Sequence, residues 1–143
     1  MKSCLPFSCF LLILAGAIAL ACGSPSAPRN MSGLLELVTI SPAVADAQNY
    51  PDGQVQFTAT GYYSTPPFQV TPLLATWGAC YQDAPTNGVS VSANGLARCV
   101  AGAAGTYTVW AWAPSNAAVC PTFVGLCGTG GCQVTGATLL TCP

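Results

Sequence analysis

Histidine is absent from this 143-residue sequence, and charged residues make up only 5% of it. Without an imidazole, neither a Ser-His-Asp nor a Cys-His catalytic arrangement can be assembled. Beyond residue 21, the charged side chains are those of Arg29, Arg98, Glu36, Asp46, Asp52 and Asp83. A nucleic-acid backbone is bound by clusters of Lys and Arg. We therefore expect no nucleic-acid partner.

The carboxylates do not predict an active site. The three aspartates lie in predicted loops, where Asp is typical of turns, so a carboxylate pair for glycoside hydrolysis is not expected. Calcium binding by Asp46, Asn49 and Asp52 would lack any familiar ligand spacing. The sequence therefore predicts no enzyme, no metal site and no cofactor.

The first 21 residues have the features of an export signal of the lipoprotein type. A single Lys2 precedes an apolar stretch from Leu5 to Ala21, which is too short and too rich in small residues at its end to favour a membrane span. The segment Ala19-Leu20-Ala21-Cys22 resembles a bacterial lipobox, which implies that Cys22 is acylated and anchors an exported chain in the membrane of the cell envelope. The alternative is an ordinary Ala-x-Ala cleavage site, which would release a secreted or periplasmic soluble protein.

Residues 22–33 contain Ser, Pro, Ala and Asn without apolar periodicity, which is typical of a flexible tether. From residue 34 to residue 114 the period changes to two, the period of strands. In residues 54–60, Val55, Phe57 and Ala59 alternate with polar side chains, so these three are expected to face a core. In residues 106–113, Tyr107, Val109 and Ala111 are expected to do the same.

Further strands are predicted in residues 36–42, 73–77, 89–92 and 96–100, with residues 69–70 as a short edge. Asn94-Gly95 favours a hairpin between two of them, and Trp77 is a candidate for central packing. About seven short strands and no amphipathic helix predict an all-β fold, a β-sandwich.

Five segments resemble, in order, the group 2 bacterial immunoglobulin-like domains of invasin- and intimin-type surface proteins. The segments are residues 38–42, 55–63, 76–77, 89–96 and 105–109. This resemblance implies an immunoglobulin-like Greek-key sandwich, a structural or adhesive role in display at the outer membrane or cell surface, and no active site.

Six cysteines follow the leader and the anchor, namely Cys80, Cys99, Cys120, Cys127, Cys132 and Cys142. An even number in an exported chain predicts three disulfides. The preferred pairs are Cys80 with Cys99, Cys120 with Cys127, and Cys132 with Cys142. Zinc bound by the last four is the alternative, which the lack of Cys-x2-Cys spacing and of His disfavours. Residues 115–143 are expected to form a cross-linked C-terminal appendage that could add one or two strands.

Trp110 and Trp112 are the candidate surface-binding residues. If Tyr107, Val109 and Ala111 face the core, both indoles project from the opposite face of the strand. Exposed aromatic side chains often stack on sugars or on partner proteins. Two hypotheses follow: a carbohydrate-binding module that uses both indoles, or a face covered by the cysteine-linked tail.

Overall fold

The computed structural model describes residues 33–117, residue 127 and residues 130–143. Met31–Pro143 forms one compact unit. The strands are β1 (Leu35–Ser41), β2 (Val44–Asp46), β3 (Gln54–Gln56), β4 (Thr58–Tyr63), β5 (Gln69–Val70), β6 (Thr76–Tyr81), β7 (Ala84–Pro85), β8 (Val89–Val91), β9 (Leu96–Cys99), β10 (Gly105–Pro114) and β11 (Gln133–Cys142). Two 3₁₀ turns, Ala47–Asn49 and Pro51–Gly53, separate β2 from β3.

One layer, called the β4 layer, is formed by β1, β3, β4, β5, β8 and β9. β4 pairs with β1 and β5, and β3 pairs with β9, which pairs with β8. β3 and β4 follow each other directly, separated only by Phe57, whose N–H donates to the carbonyl of Gly95. The two groups of strands are therefore continuous through this point.

The other layer, called the β10 layer, has the strand order β2-β11-β10-β6-β7. β11 pairs antiparallel with β10 over all ten residues, and β2 pairs parallel with β11. The chain's first two strands thus lie in different layers. Crossing between layers in this way gives an immunoglobulin-like Greek-key sandwich, which confirms the predicted fold class.

The core lies between the layers and matches the alternation in the sequence. Val55, Phe57 and Ala59 are almost completely buried on one side, as are Val109 and Ala111 on the other. Burial of these side chains, at about 1.5–3 kcal/mol for each large one, is the main force that holds the layers together. Trp77 is only partly buried and packs at the edge of this core, against the hairpin turn at Gly95.

Two strand boundaries differ from those expected. The strand predicted at residues 73–77 begins at Thr76, because the N–H of Leu73 donates to Ala59 at 2.8 Å and its side chain packs near Gly61. Leu73 therefore belongs to the packing of the β4 layer. In β1, a bulge at Glu36 lets Leu35 rather than Glu36 face the core.

The sandwich also extends beyond the boundary expected at Pro114. β11 lies between β2 and β10, so residues from 133 onward supply a central strand of the β10 layer. The expectation that the C-terminal region could add a strand is confirmed. Leu140 of this strand is completely buried in the common core.

Candidate functional site

The outer face of the β10 layer, meaning the face turned away from the β4 layer, carries both candidate tryptophans. Residues directly opposite each other in an antiparallel pair project to the same face. Trp110 lies between Gly78 of β6 and Ala137 of β11, and Trp112 lies between Thr76 and Thr135. The face is therefore uncharged along the centre of β10.

Gly78 provides the seat for Trp110, a feature that the sequence analysis missed. A Cβ atom at Gly78 would collide with the six-membered ring of Trp110. The indole therefore lies against the backbone of β6, and only glycine leaves room for it. A glycine within a strand is the signal that could have indicated such a close approach.

Both indoles are partly buried. Their exposure therefore lies between the exposed binding face and the covered face that the sequence left as alternatives. The Nε1 atom of Trp110 is buried and has no hydrogen-bond partner within the described part of the chain. An unpaired buried donor costs about 1–3 kcal/mol. One edge of this indole is thus turned into the protein, whereas part of the ring remains accessible.

Cys127 lies at the outer face of the β10 layer, which carries both tryptophans. Cys80 is opposite Thr108 on β10, so its side chain also projects from the outer face. Cys80 and Cys127 form a disulfide with a Cα–Cα distance of 5.8 Å, and both are buried. Cys127 is therefore covalently held at the outer face, where Thr108 and Cys80 form the next pair on the same face after Trp110 and Gly78.

A second disulfide joins the two layers. Cys99 at the end of β9 is bonded to Cys142 at the end of β11, again with a Cα–Cα distance of 5.8 Å. Cys142 is buried within the core cluster. This cross-link therefore joins the β4 layer and the β10 layer at one end of the sandwich.

The three disulfide pairs preferred from the sequence were wrong. Cys80 pairs with Cys127 rather than with Cys99, because Cys80 projects from the outer face whereas Cys99 meets Cys142 between the layers. The same two bonds exclude the pairs Cys120 with Cys127 and Cys132 with Cys142. Cys132 is also disulfide-bonded. Cys120 lies outside the described residues, as does Cys22, the expected acylation site.

The carboxylates occupy separate positions. Asp46 accepts a hydrogen bond from the N–H of Gln48 at 3.0 Å and caps the first 3₁₀ turn. Asp52 and Asp83 have φ angles of 56° and 61°, which are typical of turn residues. Within the described ranges, no three Cys, Asp or Glu residues form a group that could hold a metal ion.

One cleft of about 300 Å³ lies beside the interlayer disulfide. Its lining includes Tyr50, Asp52, Arg98, Cys99 and Pro143. Asp52 and Arg98 are both exposed to water, where opposite charges attract each other weakly. None of the residues that line the cleft is a buried charged group that could hold a ligand firmly.

No protein-family model matches the chain, and no curated protein matches it. Among the described residues, no helix has the length and apolar character to cross a bilayer.

Proposed function

We propose that the chain is a non-catalytic exported lipoprotein that displays an immunoglobulin-like domain at the cell envelope, in a structural or adhesive role. The observation that carries the proposal is the disulfide-linked sandwich, because stable disulfides are typical of proteins outside the cytoplasm. The apolar leader that ends immediately before Cys22 supports export and acylation. The resemblance to group 2 bacterial immunoglobulin-like domains supports display or adhesion.

Acylation is tested by expressing the full chain in a bacterial host and measuring the intact mass and the membrane association of the mature protein. We expect the wild-type protein to carry acyl chains on Cys22 and to remain with membranes. Cys22→Ala is expected to lose both properties. Cys9→Ala is the matched control, because Cys9 lies in the leader and is removed with it. A soluble wild-type protein without acyl mass would contradict the proposal and support a secreted or periplasmic protein.

The adhesive role is tested on whole cells. Cells that display the anchored wild-type protein should bind a host-cell or matrix surface more strongly than cells that make Cys22→Ala. Equal binding at equal amounts of folded protein would contradict adhesion and leave a structural role at the envelope.

Carbohydrate binding is the second candidate, favoured by one observation. Trp110 and Trp112 share an uncharged outer face, and successive residues on one face of a strand are about 7 Å apart. Two partly accessible indoles at this spacing could stack on neighbouring sugar rings.

The double variant Trp110→Ala/Trp112→Ala tests this candidate when glycan binding and thermal unfolding are measured together. Retained folding with lost binding would support recognition. Tyr62→Ala is the control, since Tyr62 is an exposed aromatic residue of the β4 layer. Wild-type protein that binds no glycan, or a double variant that keeps full binding, would contradict this candidate.

A further inference from the structure

The two ends of the sandwich differ in charge. The tether end, defined by Gly33, the turn at residues 64–68 and Ser115, is where the chain enters β1; there the N–H of Leu35 donates to the carbonyl of Ser115. The far end holds the 3₁₀ turns, the turn between β6 and β7, and Pro143. Of the described charged side chains, only Glu36 is near the tether end. Those of Asp46, Asp52, Asp83 and Arg98 lie toward the far end, as the strand registers require.

Three large apolar side chains are exposed at the tether end. Leu34 and Phe68 are 46% and 62% exposed, and hydrogen bonds join their backbones to Ser64 and Tyr63. Leu74 is 86% exposed and precedes β6, whose first residue lies opposite Trp112 near the end of β10. Leu34 and Phe68 therefore lie at the tether end, and Leu74 lies toward it.

Among the described residues, Glu36 has the only charged side chain near this end. Tyr63 adds no charge, since a phenol is neutral at physiological pH and partial burial raises its pKa further. Exposed apolar residues also occur elsewhere, such as Val100 and Tyr81, but those lie toward the far end, which also holds Asp83 and Arg98. An end with several charged side chains is suited to solvent, whereas an end with exposed Leu and Phe and a single charged side chain is suited to a less polar environment.

The sequence places a lipid anchor close to the tether end. Eleven residue steps separate Cys22 from Gly33. Fully extended, that length reaches at most about 40 Å, and a flexible chain of this length has an average end-to-end distance of roughly 18 Å. The tether end would therefore remain within reach of the bilayer surface, whereas the far end is about 30 Å further along β10.

We propose that the tether end rests on the bilayer, with Leu34, Phe68 and Leu74 in contact with lipid. This inference rests on the proposed acylation of Cys22. The lipid surface recognised is a neutral, zwitterionic one. The described part of the tether end carries no basic side chain to attract anionic headgroups, and Glu36 would be repelled by them. Docking would thus fix the orientation of the domain and direct its charged far end outward.

The test uses the acylated full-length mature protein in phosphatidylcholine vesicles, with or without brominated acyl chains that quench tryptophan at short range. Phe68→Trp and Leu74→Trp each add a reporter at the tether end. Val100→Trp is the matched control at the far end. The wild-type protein supplies the background of Trp77, Trp110 and Trp112.

We expect brominated lipid to quench the added tryptophan in both the Phe68→Trp and the Leu74→Trp variant. The added tryptophan of Val100→Trp should be unaffected. Equal quenching at both ends would overturn the inference, as would no quenching at either end, while acylation and the proposed function remained intact. Quenching that appears only after phosphatidylglycerol is added would overturn the assignment to a neutral surface. Wild-type protein without acyl mass would instead remove the proposed function, and the inference with it.

Discussion

Removing the interlayer disulfide should lower stability by a predictable amount. Cys99 and Cys142 are separated by 43 residues. In the chain-entropy treatment, a cross-link that closes a loop of this length stabilises the folded state by ~4 kcal/mol at 25 °C, because it restricts the unfolded chain. This is an upper value, since the overlapping link between Cys80 and Cys127 already shortens the path between the two positions.

The double variant Cys99→Ala/Cys142→Ala avoids a free thiol, and guanidinium unfolding followed by tryptophan fluorescence measures its free energy of unfolding. The expected loss is up to ~4 kcal/mol. Cys80→Ala/Cys127→Ala is the matched comparison: its separation is 47 residues, so nearly the same loss is expected although it joins a different pair of surfaces. A loss below ~1 kcal/mol for either double variant would refute the entropic reasoning.

Three further predictions concern packing, backbone and hydrogen bonding, each measured as a change in the free energy of unfolding. Phe57→Ala should cost about 3–5 kcal/mol because Phe57 is completely buried, whereas Phe68→Ala should change stability by less than about 0.5 kcal/mol; equal losses would contradict the core assignment. Gly95→Ala should be clearly destabilising, since its φ is +82° and a Cβ would collide with a carbonyl oxygen. Gly102→Ala, with φ +83° and open space around it, should show only the strain of the backbone, roughly 1–2 kcal/mol, and an equal cost at both glycines would argue against the collision. Thr138→Val should cost about 1–3 kcal/mol because the buried hydroxyl donates at 2.8 Å to a carbonyl between β1 and β2, which would lose its partner; unchanged stability would show that this bond contributes nothing.

The period of two was enough to predict the core of the longest strands. Val55, Phe57 and Ala59 are buried as expected, because alternate residues of a strand must face the same side. The same parity placed Trp110 and Trp112 on the other face of β10. Local pattern carries this information because it depends only on backbone geometry.

Contacts between segments far apart in the chain could not be predicted from the sequence pattern. Parity assigns a face to Cys80 but does not indicate which loop will cover that face, so its partner Cys127 could not be identified. β11 was underestimated for a related reason. Its inward positions include Gly136, where a Cβ would collide with the backbone of Val38, so close packing replaces the large apolar side chains that signal a strand.

The parallel contact between β2 and β11 has a mechanical consequence. β1 begins at the tether end, whereas β11 finishes at the far end, so tension between residues 33 and 143 acts along the strands in opposite directions. Because β2 follows β1 in the chain, the backbone hydrogen bonds between the parallel strands β2 and β11 would then share the load simultaneously rather than open one after another. With Cys22 acylated as proposed, a pull between that anchor and a contact near residue 143 would load these hydrogen bonds in shear.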